Sequence, residues 1–98
     1  MLKYAQIYQI VNSKGDRYVG STTRIHLCQR MAEHRYAYAQ VNKGNINGCS
    51  SSKVLYDDSA RIELIQKFPC ANKQELYERE QFYLDIMKDI VNVKRAIR

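Results

Sequence analysis

Two short segments near the start of the chain alternate between hydrophobic and polar residues and are rich in β-branched and aromatic side chains. They cover residues 5–11 and 17–21, and the polar residues 12–16 lie between them. This arrangement is typical of a β-hairpin, in which Gly15 can take the positive φ that a tight loop requires. The pattern therefore predicts two antiparallel strands joined by a short turn.

The alternation of side chains across a strand places chemistry on one face of the predicted hairpin. Tyr8 projects from one face of the first strand, and Tyr18 shares a face of the second strand with Gly20. If the pairing register aligns these faces, two phenol groups lie close together beside a bare glycine backbone. Tyrosine is also a common strand residue without any function, so the pair gains meaning only from residues elsewhere in the chain.

A helical pattern follows the hairpin over residues 25–40, and the hydroxyl residues at 21–23 suit the cap at its start. Its inward stripe consists of Leu27, Met31, His34 and Tyr38. Arg30 lies one helical turn from His34 and beside this stripe. A histidine there is more often a hydrogen-bonded core residue than a catalytic one, and an arginine is more often a surface charge. Both alternatives stay open at this point.

The middle of the chain is predicted to contain a loop, a short helix and a third strand. Residues 41–52 are rich in Asn, Gly and Ser and favour a loop, and a brief helix over residues 53–56 follows. Residues 60–68 have the pattern of a strand covered on both faces, which ends at Pro69 because proline cannot continue the ladder. No repeat or long linker divides the chain, so we expect one domain over residues 1–98.

The last predicted helix begins at Asn72, because Asn72 and Glu75 have the spacing of a capping box. Its apolar stripe consists of Leu76, Tyr77, Tyr83, Leu84 and Met87. Glu80 lies in the middle of this stripe, and burying an unpaired carboxylate costs on the order of several kcal/mol. Three explanations stay open: a structural ion pair with a buried arginine, a cleft where Glu80 holds a divalent cation, or a rotated helix that leaves Glu80 solvated.

The composition narrows the choice of partner and compartment. The chain has a formal net charge of +6, with 45% hydrophobic and 27% charged residues, so we expect a folded protein with an anionic partner. Its apolar runs are too short to span a bilayer and its start lacks a signal-peptide pattern, so we expect neither a membrane protein nor a secreted one. Three widely spaced cysteines favour reduced thiols in an intracellular compartment, cytoplasmic, nucleoid or nuclear.

Five polar side chains from the predicted hairpin and helices form a set that suits phosphodiester hydrolysis: Tyr8, Tyr18, Arg30, His34 and Glu80. This reaction needs positive charge beside the phosphate, a base for the attacking water, and an acid or a metal for the leaving oxygen. The set contains a residue type for each of these tasks, and the basic chain suits a polyanionic substrate.

At these residues the sequence resembles the GIY-YIG nuclease family over nearly the whole chain. The segments that carry the resemblance are residues 6–10 (QIYQI), residues 18–21 (YVGS), residues 27–30 (LCQR) with His34, residues 78–83 (EREQFY) and Asn92. Each segment alone is a weak signal, whereas their order and spacing together are specific. One position departs from the family pattern, because Gln6 stands where the first motif opens with a glycine.

The resemblance implies an α/β (α+β) fold, with a three-stranded, mainly antiparallel β-sheet flanked by helices. It implies a metal-dependent DNA endonuclease in which Glu80 holds one Mg²⁺ or Mn²⁺ ion, a hard cation that prefers oxygen ligands. Tyr8 is then the base for the attacking water. A free phenol titrates near pH 10, so a nearby positive charge must favour its ionised form.

The same resemblance implies supporting roles for four further residues. Tyr18 positions water or phosphate, and the forked guanidinium of Arg30 stabilises negative charge on the phosphoryl oxygens. His34 hydrogen-bonds Tyr8 or relays a proton, and Asn92 orients the site.

Basic residues outside these motifs are candidate contacts to DNA phosphates: Arg24, Arg35, Lys43, Lys53, Lys73, Lys94, Arg95 and Arg98. Each of them is individually more often a solubilising surface charge. We expect DNA as the partner, with no small-molecule cofactor and no membrane. Two alternatives stay open: a non-catalytic basic nucleic-acid-binding module with a vestigial site, and an accessory protein that docks on an acidic protein partner.

Overall fold

The structure is a computed structural model that describes residues 1–43, 52–87 and 90–91. Its elements in chain order are β1 (Gln6–Val11), β2 (Arg17–Thr22), α1 (Leu27–Asn42), α2 (Ser52–Leu55), β3 (Arg61–Lys67) and α3 (Lys73–Ile86). The hairpin, the short helix, the third strand and the two longer helices are confirmed, with ends that shift by one or two residues. Most of the predicted loop lies outside the described residues. None of the described helices is both long and apolar enough to cross a membrane.

The sheet has the strand order β2-β1-β3, and both strand pairs are antiparallel. In the hairpin Tyr8 pairs with Gly20 and Ile10 pairs with Tyr18, so the register aligns the two tyrosine faces, a condition that the sequence left open. The turn between the strands contains Gly15 at a φ of 91°, as expected. The described residues therefore form the predicted α+β fold, with β1 at the centre of the sheet.

The central strand β1 is buried on both faces by the two long helices. On one face Tyr8 and Ile10 pack in a cluster with Met31 of α1. On the other face Ile7 packs in a cluster with Leu76 of α3. Because side chains alternate along β1, the two helices must lie on opposite sides of the sheet. This arrangement puts α1 on the side of the tyrosines.

Strand β3 contributes to both clusters, as its pattern predicted. Ile62 packs against the cluster on the α1 side, and Ile65 packs against the cluster on the α3 side. Leu64 is an exception, with 46% of its surface exposed. The pairing of β3 with β1 also shifts register between Ile7 and Tyr8, so this strand is less regular than the hairpin.

The start of α1 differs from the prediction that hydroxyl residues cap it. The N-cap is His26, and the side-chain oxygen of Gln29 accepts a hydrogen bond from the backbone N–H of His26 at 3.1 Å. Ser21 and Thr22 instead belong to β2, where they pair with β1. The prediction was wrong because strand pairing extends through these hydroxyl residues, and the Ser21 hydroxyl donates a hydrogen bond to Glu80.

The start of α3 is capped as the sequence predicted. The side-chain oxygen of Asn72 accepts a hydrogen bond from the backbone N–H of Glu75 at 3.0 Å. The Glu75 carboxylate in turn accepts a hydrogen bond from the backbone N–H of Ala71 at 2.7 Å. These bonds satisfy N–H groups at the helix start and fix where the chain enters α3, which carries Glu80.

The hairpin turn is held by the buried side chain of Asn12. Its Oδ1 accepts hydrogen bonds from the backbone N–H groups of Lys14, at 3.0 Å, and Asp16, at 3.1 Å. Its Nδ2 donates to the carbonyl of Val54 in α2 at 3.0 Å. One amide group thus closes the turn and ties it to α2.

We expect Asn12→Ala to lower the free energy of unfolding by about 2 kcal/mol, because it leaves the buried carbonyl of Val54 and two partly buried N–H groups of the turn without their partner. Urea denaturation followed by circular dichroism measures this change. Ser13→Ala is the control, since Ser13 is the exposed neighbour and its replacement should cost no more than about 0.5 kcal/mol. Equal effects of the two substitutions would contradict the role given to Asn12.

Candidate active site

The candidate site is centred on the hydroxyl of Tyr8, which projects from the central strand and is fully buried. Gly20 on the neighbouring strand leaves room for it. A Cβ added at Gly20 would lie 2.5 Å from the Tyr8 hydroxyl oxygen and 3.1 Å from a ring carbon of Tyr18. Position 20 therefore requires a glycine because the phenol approaches its backbone so closely. The backbone conformation of Gly20 would itself allow another residue.

Two side chains from α1 hold the Tyr8 hydroxyl. His34 Nε2 lies 2.6 Å from the hydroxyl oxygen, and Arg30 Nε donates a hydrogen bond to the same oxygen at 3.1 Å. Arg30 and His34 can meet one atom because they lie four residues apart on one helical face. Of the two roles expected for His34, a hydrogen bond to Tyr8 or a proton relay, the structure contains the direct contact with Tyr8.

The Tyr18 ring completes the packing around the imidazole. The ring centroids of Tyr18 and His34 lie 5.4 Å apart at an interplanar angle of 74°, an edge-to-face contact. The Tyr8 and His34 rings make a similar contact, at 5.7 Å and 63°. His34 is thus wedged between two phenol rings, an arrangement that fixes its orientation.

Burial sets the protonation states of this cluster. Burial is the main cause that raises the pKa of Tyr8, and the neighbouring Tyr18 raises it further. Arg30 lowers this pKa, but its effect is smaller than that of burial. Burial, with a smaller contribution from Arg30, lowers the pKa of His34 to about 4. At neutral pH the imidazole is therefore neutral and the phenol keeps its proton. Since Arg30 donates to the Tyr8 oxygen, the phenol proton is available for donation to His34 Nε2.

Glu80 reaches the site from α3, on the other side of the sheet. Its carboxylate is half-buried and accepts a hydrogen bond from the hydroxyl of Ser21 on β2. Its charge also contributes to the raised pKa of Tyr8, after the larger effects of burial and Tyr18, so it lies within electrostatic reach of the phenol. Of the three explanations for this carboxylate, the rotated and solvated helix is therefore wrong.

The oxygen donors around Glu80 suit a hard divalent cation. Within the described residues no group of three or more His, Cys, Asp or Glu side chains could hold a metal ion together. A site here would therefore rest on one carboxylate, with the Ser21 hydroxyl beside it. Mg²⁺ is commonly bound by one or two carboxylates, with water and substrate phosphate as its other ligands, whereas zinc prefers nitrogen and sulfur ligands. The residues present fit Mg²⁺ or Mn²⁺.

A polar cleft opens next to this cluster, between the start of α1 and the first turns of α3. It has a volume of about 230 Å³ and is lined by Ser21, Thr22, Thr23, Arg24, Arg30, Glu33, Lys73, Leu76 and Tyr77. Two of the basic residues proposed as DNA contacts, Arg24 and Lys73, thus line the same cleft as Arg30. The cleft combines positive charge with hydroxyl groups, which suits a phosphate.

Asn92 and the remaining basic residues predicted to contact DNA are not found in this cleft among the described residues. Arg35 Nη2 donates a hydrogen bond to the carbonyl of Ala60 at 3.0 Å, so it links α1 to the segment before β3. Lys43 is exposed at the end of α1. The predicted residues that lie outside the described side chains are Asn92, Lys53, Lys94, Arg95 and Arg98.

Two residues of the site, Ser21 and Glu33, received no role from the motifs, and a third, Gln6, was noted only as a departure from the family pattern. Ser21 closes the second motif and was otherwise considered only as a helix cap, whereas its hydroxyl donates a hydrogen bond to Glu80. Glu33 lies three residues after Arg30 and forms an ion pair with it at 3.4 Å, a spacing that the sequence already displays. Gln6 is buried, and its Nε2 donates a hydrogen bond to the carbonyl of Arg24 at 2.9 Å.

Comparison with known families gives one match, and it covers most of the chain. Residues 4–92 match the family described as the GIY-YIG catalytic domain. Comparison with curated proteins and with solved structures gave no match. The matched range includes both tyrosines, the α1 residues and Glu80.

We expect His34 to make the protein less stable as the pH falls from about 6.5 to about 4. In this range the imidazole binds a proton in the unfolded chain but not in the folded one, so acid favours unfolding. This loss of stability reaches on the order of 3 kcal/mol below the folded-state pKa of about 4. Above the ordinary histidine pKa it is absent, because the imidazole is neutral in both states.

Urea denaturation of the wild type and of His34→Gln at pH 7.5 and pH 4.5 measures this contribution. The variant should lose less stability than the wild type between the two pH values. His26→Gln serves as the control, because His26 is exposed and its loss should leave the wild-type pH dependence in place. A His34→Gln variant with that same dependence would show that the imidazole is not buried in its neutral form.

Proposed function

The chain belongs to the GIY-YIG family, and from this membership we propose that it is a metal-dependent DNA endonuclease that hydrolyses phosphodiester bonds. The family is one of nucleases that act on DNA and generally use divalent metals. The observation that carries the proposal for this chain is the meeting of Arg30 and His34 at the buried hydroxyl of Tyr8. Glu80, within electrostatic reach of the phenol, supplies the carboxylate that the chemistry needs.

Arg30 is the residue proposed to receive the scissile phosphate. Its side chain is 33% exposed and lines the polar cleft, while its Nε remains bonded to the Tyr8 hydroxyl. A guanidinium in this position can face phosphoryl oxygens and the phenol at once, because its N–H groups point in fixed, separate directions. Arg30 therefore stabilises the growing negative charge and places the phosphate next to Tyr8.

Tyr8 and His34 are proposed to share the work of the general base. The raised pKa of Tyr8 argues against a standing phenolate, so the phenol needs a place for its own proton as it accepts one from water. His34 Nε2 is that place, because the imidazole is neutral and lies 2.6 Å from the hydroxyl. One water O–H bond breaks, its proton goes to the Tyr8 oxygen, and the phenol proton goes to Nε2. The water oxygen bonds to phosphorus as the bond to the leaving oxygen breaks.

Glu80 is proposed to hold one Mg²⁺ or Mn²⁺, which when bound supplies positive charge to the phosphate and the leaving oxygen. The Ser21 hydroxyl fixes the carboxylate, and the α3 cap fixes the helix that carries it. Tyr18 packs against the imidazole and is proposed to position the attacking water or the phosphate. Asn92 stays a proposal as an orienting residue, since it lies outside the described residues.

Basic side chains are proposed to guide the DNA strand to the site. Arg24 and Lys73 line the cleft and are the strongest candidates, with Lys43, Lys53, Lys94, Arg95 and Arg98 as further ones. Arg35 is the weakest candidate, because its guanidinium bonds a backbone carbonyl of the fold. Phosphate contacts of this kind give affinity that falls steeply with salt and carry no sequence information.

The alternative of a non-catalytic nucleic-acid-binding module rests on Gln6 in place of the motif glycine. Its side chain is buried and hydrogen-bonded, so it fits the fold without displacing Tyr8 from its partners. This observation favours the catalytic function over the vestigial site. The two functions differ in one measurable property: a nuclease cuts DNA in the presence of metal, whereas a non-catalytic module only binds it.

We expect the wild type to cut supercoiled plasmid DNA with Mg²⁺ or Mn²⁺ and not with EDTA. Glu80→Gln and Tyr8→Phe should each slow cutting by about 100-fold or more, because each removes a group that acts on the reacting atoms. Both should still bind DNA, since neither removes a positive charge. Agarose gels at several times measure the rates, and filter binding in EDTA measures affinity.

Glu78→Gln is the matched control for Glu80→Gln. It removes one carboxylate from the same helix, but Glu78 is exposed and accepts its hydrogen bond from Gln74, one turn earlier in α3, and not from Ser21. It should cut at the wild-type rate. A wild type that binds DNA and never cuts it would favour the non-catalytic module, and a fast Glu80→Gln would refute the role of Glu80.

A further inference from the structure

One carboxylate in the polar cleft has no task in the proposed reaction. Glu33 of α1 accepts a hydrogen bond from Arg24 Nη2 at 2.8 Å with one oxygen, and its other oxygen lies 3.4 Å from Arg30 Nη1. The two arginines that line the cleft are thus joined through a single negative group. A carboxylate bridging two guanidinium groups resembles in charge and shape the phosphate that such groups bind.

A negative charge at Glu33 is unexpected in a cleft whose role is to attract a polyanion. Positive charge in the cleft comes from Arg24, Arg30 and Lys73, and Glu33 is the acidic residue among its lining side chains. The hydrogen bond from Arg24 is the largest cause that lowers the pKa of Glu33, so the carboxylate stays ionised at neutral pH. A DNA phosphate that enters must therefore compete with a negative charge already in place.

We propose that Glu33 is a resident counter-ion that occupies the two cleft arginines in the free protein and is displaced from them by a DNA phosphate. This inference rests on the proposed DNA substrate and adds the place where the strand is held. Ion pairs between side chains of this exposure contribute little to stability, so a phosphate can replace the carboxylate.

The bridge also explains how Arg30 keeps its place without DNA. Its Nε bonds the Tyr8 hydroxyl, and Glu33 holds the far side of the same guanidinium. Glu33 is thus a positioning residue that acts through Arg30 and Arg24. Since it opposes the substrate charge, its removal should increase DNA affinity, whereas loss of a purely structural ion pair would weaken binding or leave it unchanged.

The structure offers a matched control for this test. Glu63 on β3 pairs with Arg61 at 2.8 Å, and both Glu33 and Glu63 side chains are 39% exposed. Glu63 does not line the cleft. Glu63→Gln therefore removes the same charge and the same type of arginine ion pair elsewhere on the surface, so it measures the general effect of one added net positive charge.

Binding of a short fluorescent DNA duplex in EDTA, measured by anisotropy over a series of KCl concentrations, tests the proposal. Glu33→Gln should bind about three- to tenfold tighter than Glu63→Gln at low salt, with a salt slope steeper by about one unit. In an Arg24→Gln background the gain from Glu33→Gln should shrink, because half of the bridge is already gone. Thermal melting of each variant confirms that it is folded.

The possible failures are distinguishable. Equal affinity and equal salt slope for Glu33→Gln and Glu63→Gln would overturn the counter-ion proposal while leaving the proposed nuclease function intact. Weaker binding by Glu33→Gln would do the same and would show that the ion pair supports the DNA-binding form. Absence of salt-dependent binding in the wild type would remove the DNA substrate, and with it both proposals.

Discussion

The structure depends on the burial of one polar group, the hydroxyl of Tyr8, in the middle of the central strand. A buried hydroxyl without a partner is destabilising, by about 1–3 kcal/mol, so the protein must bring hydrogen-bonding groups to it. His34 and Arg30 do this from α1, and both must face the sheet to reach the same oxygen. The need to satisfy this hydroxyl thus determines which face of α1 packs on the sheet and assembles the candidate site at the same time.

The sheet also divides the site between two helices that lie on opposite sides of it. Tyr8 packs with the α1 side, whereas Glu80 belongs to α3. Strand β2 connects them through two successive residues, because Gly20 makes room for the phenol and Ser21 bonds the carboxylate. Neighbouring residues on a strand point to opposite faces, so this short segment can serve both sides. The edge strand is therefore the element that relates the Tyr8 hydroxyl to the Glu80 carboxylate.

The replacement of the motif glycine has a structural use in this chain. Gln6 is buried at the start of β1, and its amide holds the carbonyl of Arg24 between β2 and α1. Arg24 is one of the two arginines that Glu33 joins. Judged by the motif alone, Gln6 is only a departure from the pattern. In the structure it fixes the segment that carries Arg24 to the cleft.

The local pattern of the chain was enough to predict the hairpin, the third strand and the two helices. These features follow from side-chain alternation, turn residues and helical spacing, which act between near neighbours. Fold and candidate residues were also identified through the order of short motifs. The cap of α1 was predicted wrongly, because pairing with β1 keeps the hydroxyl residues in the strand, and local propensity does not report such pairing.

Only the tertiary structure decided the protonation states and the partners of the charged groups. The neutral state of His34 and the retained proton of Tyr8 arise from burial between α1 and the sheet, and their chain positions are 26 residues apart. The contact of Ser21 with Glu80 joins residues separated by 59 positions. Local sequence determines which side chains a strand or helix presents, whereas desolvation and pairing depend on what other elements bring against them. For that reason the sequence by itself identified the candidate groups, whereas the packed fold decided their partners and protonation states.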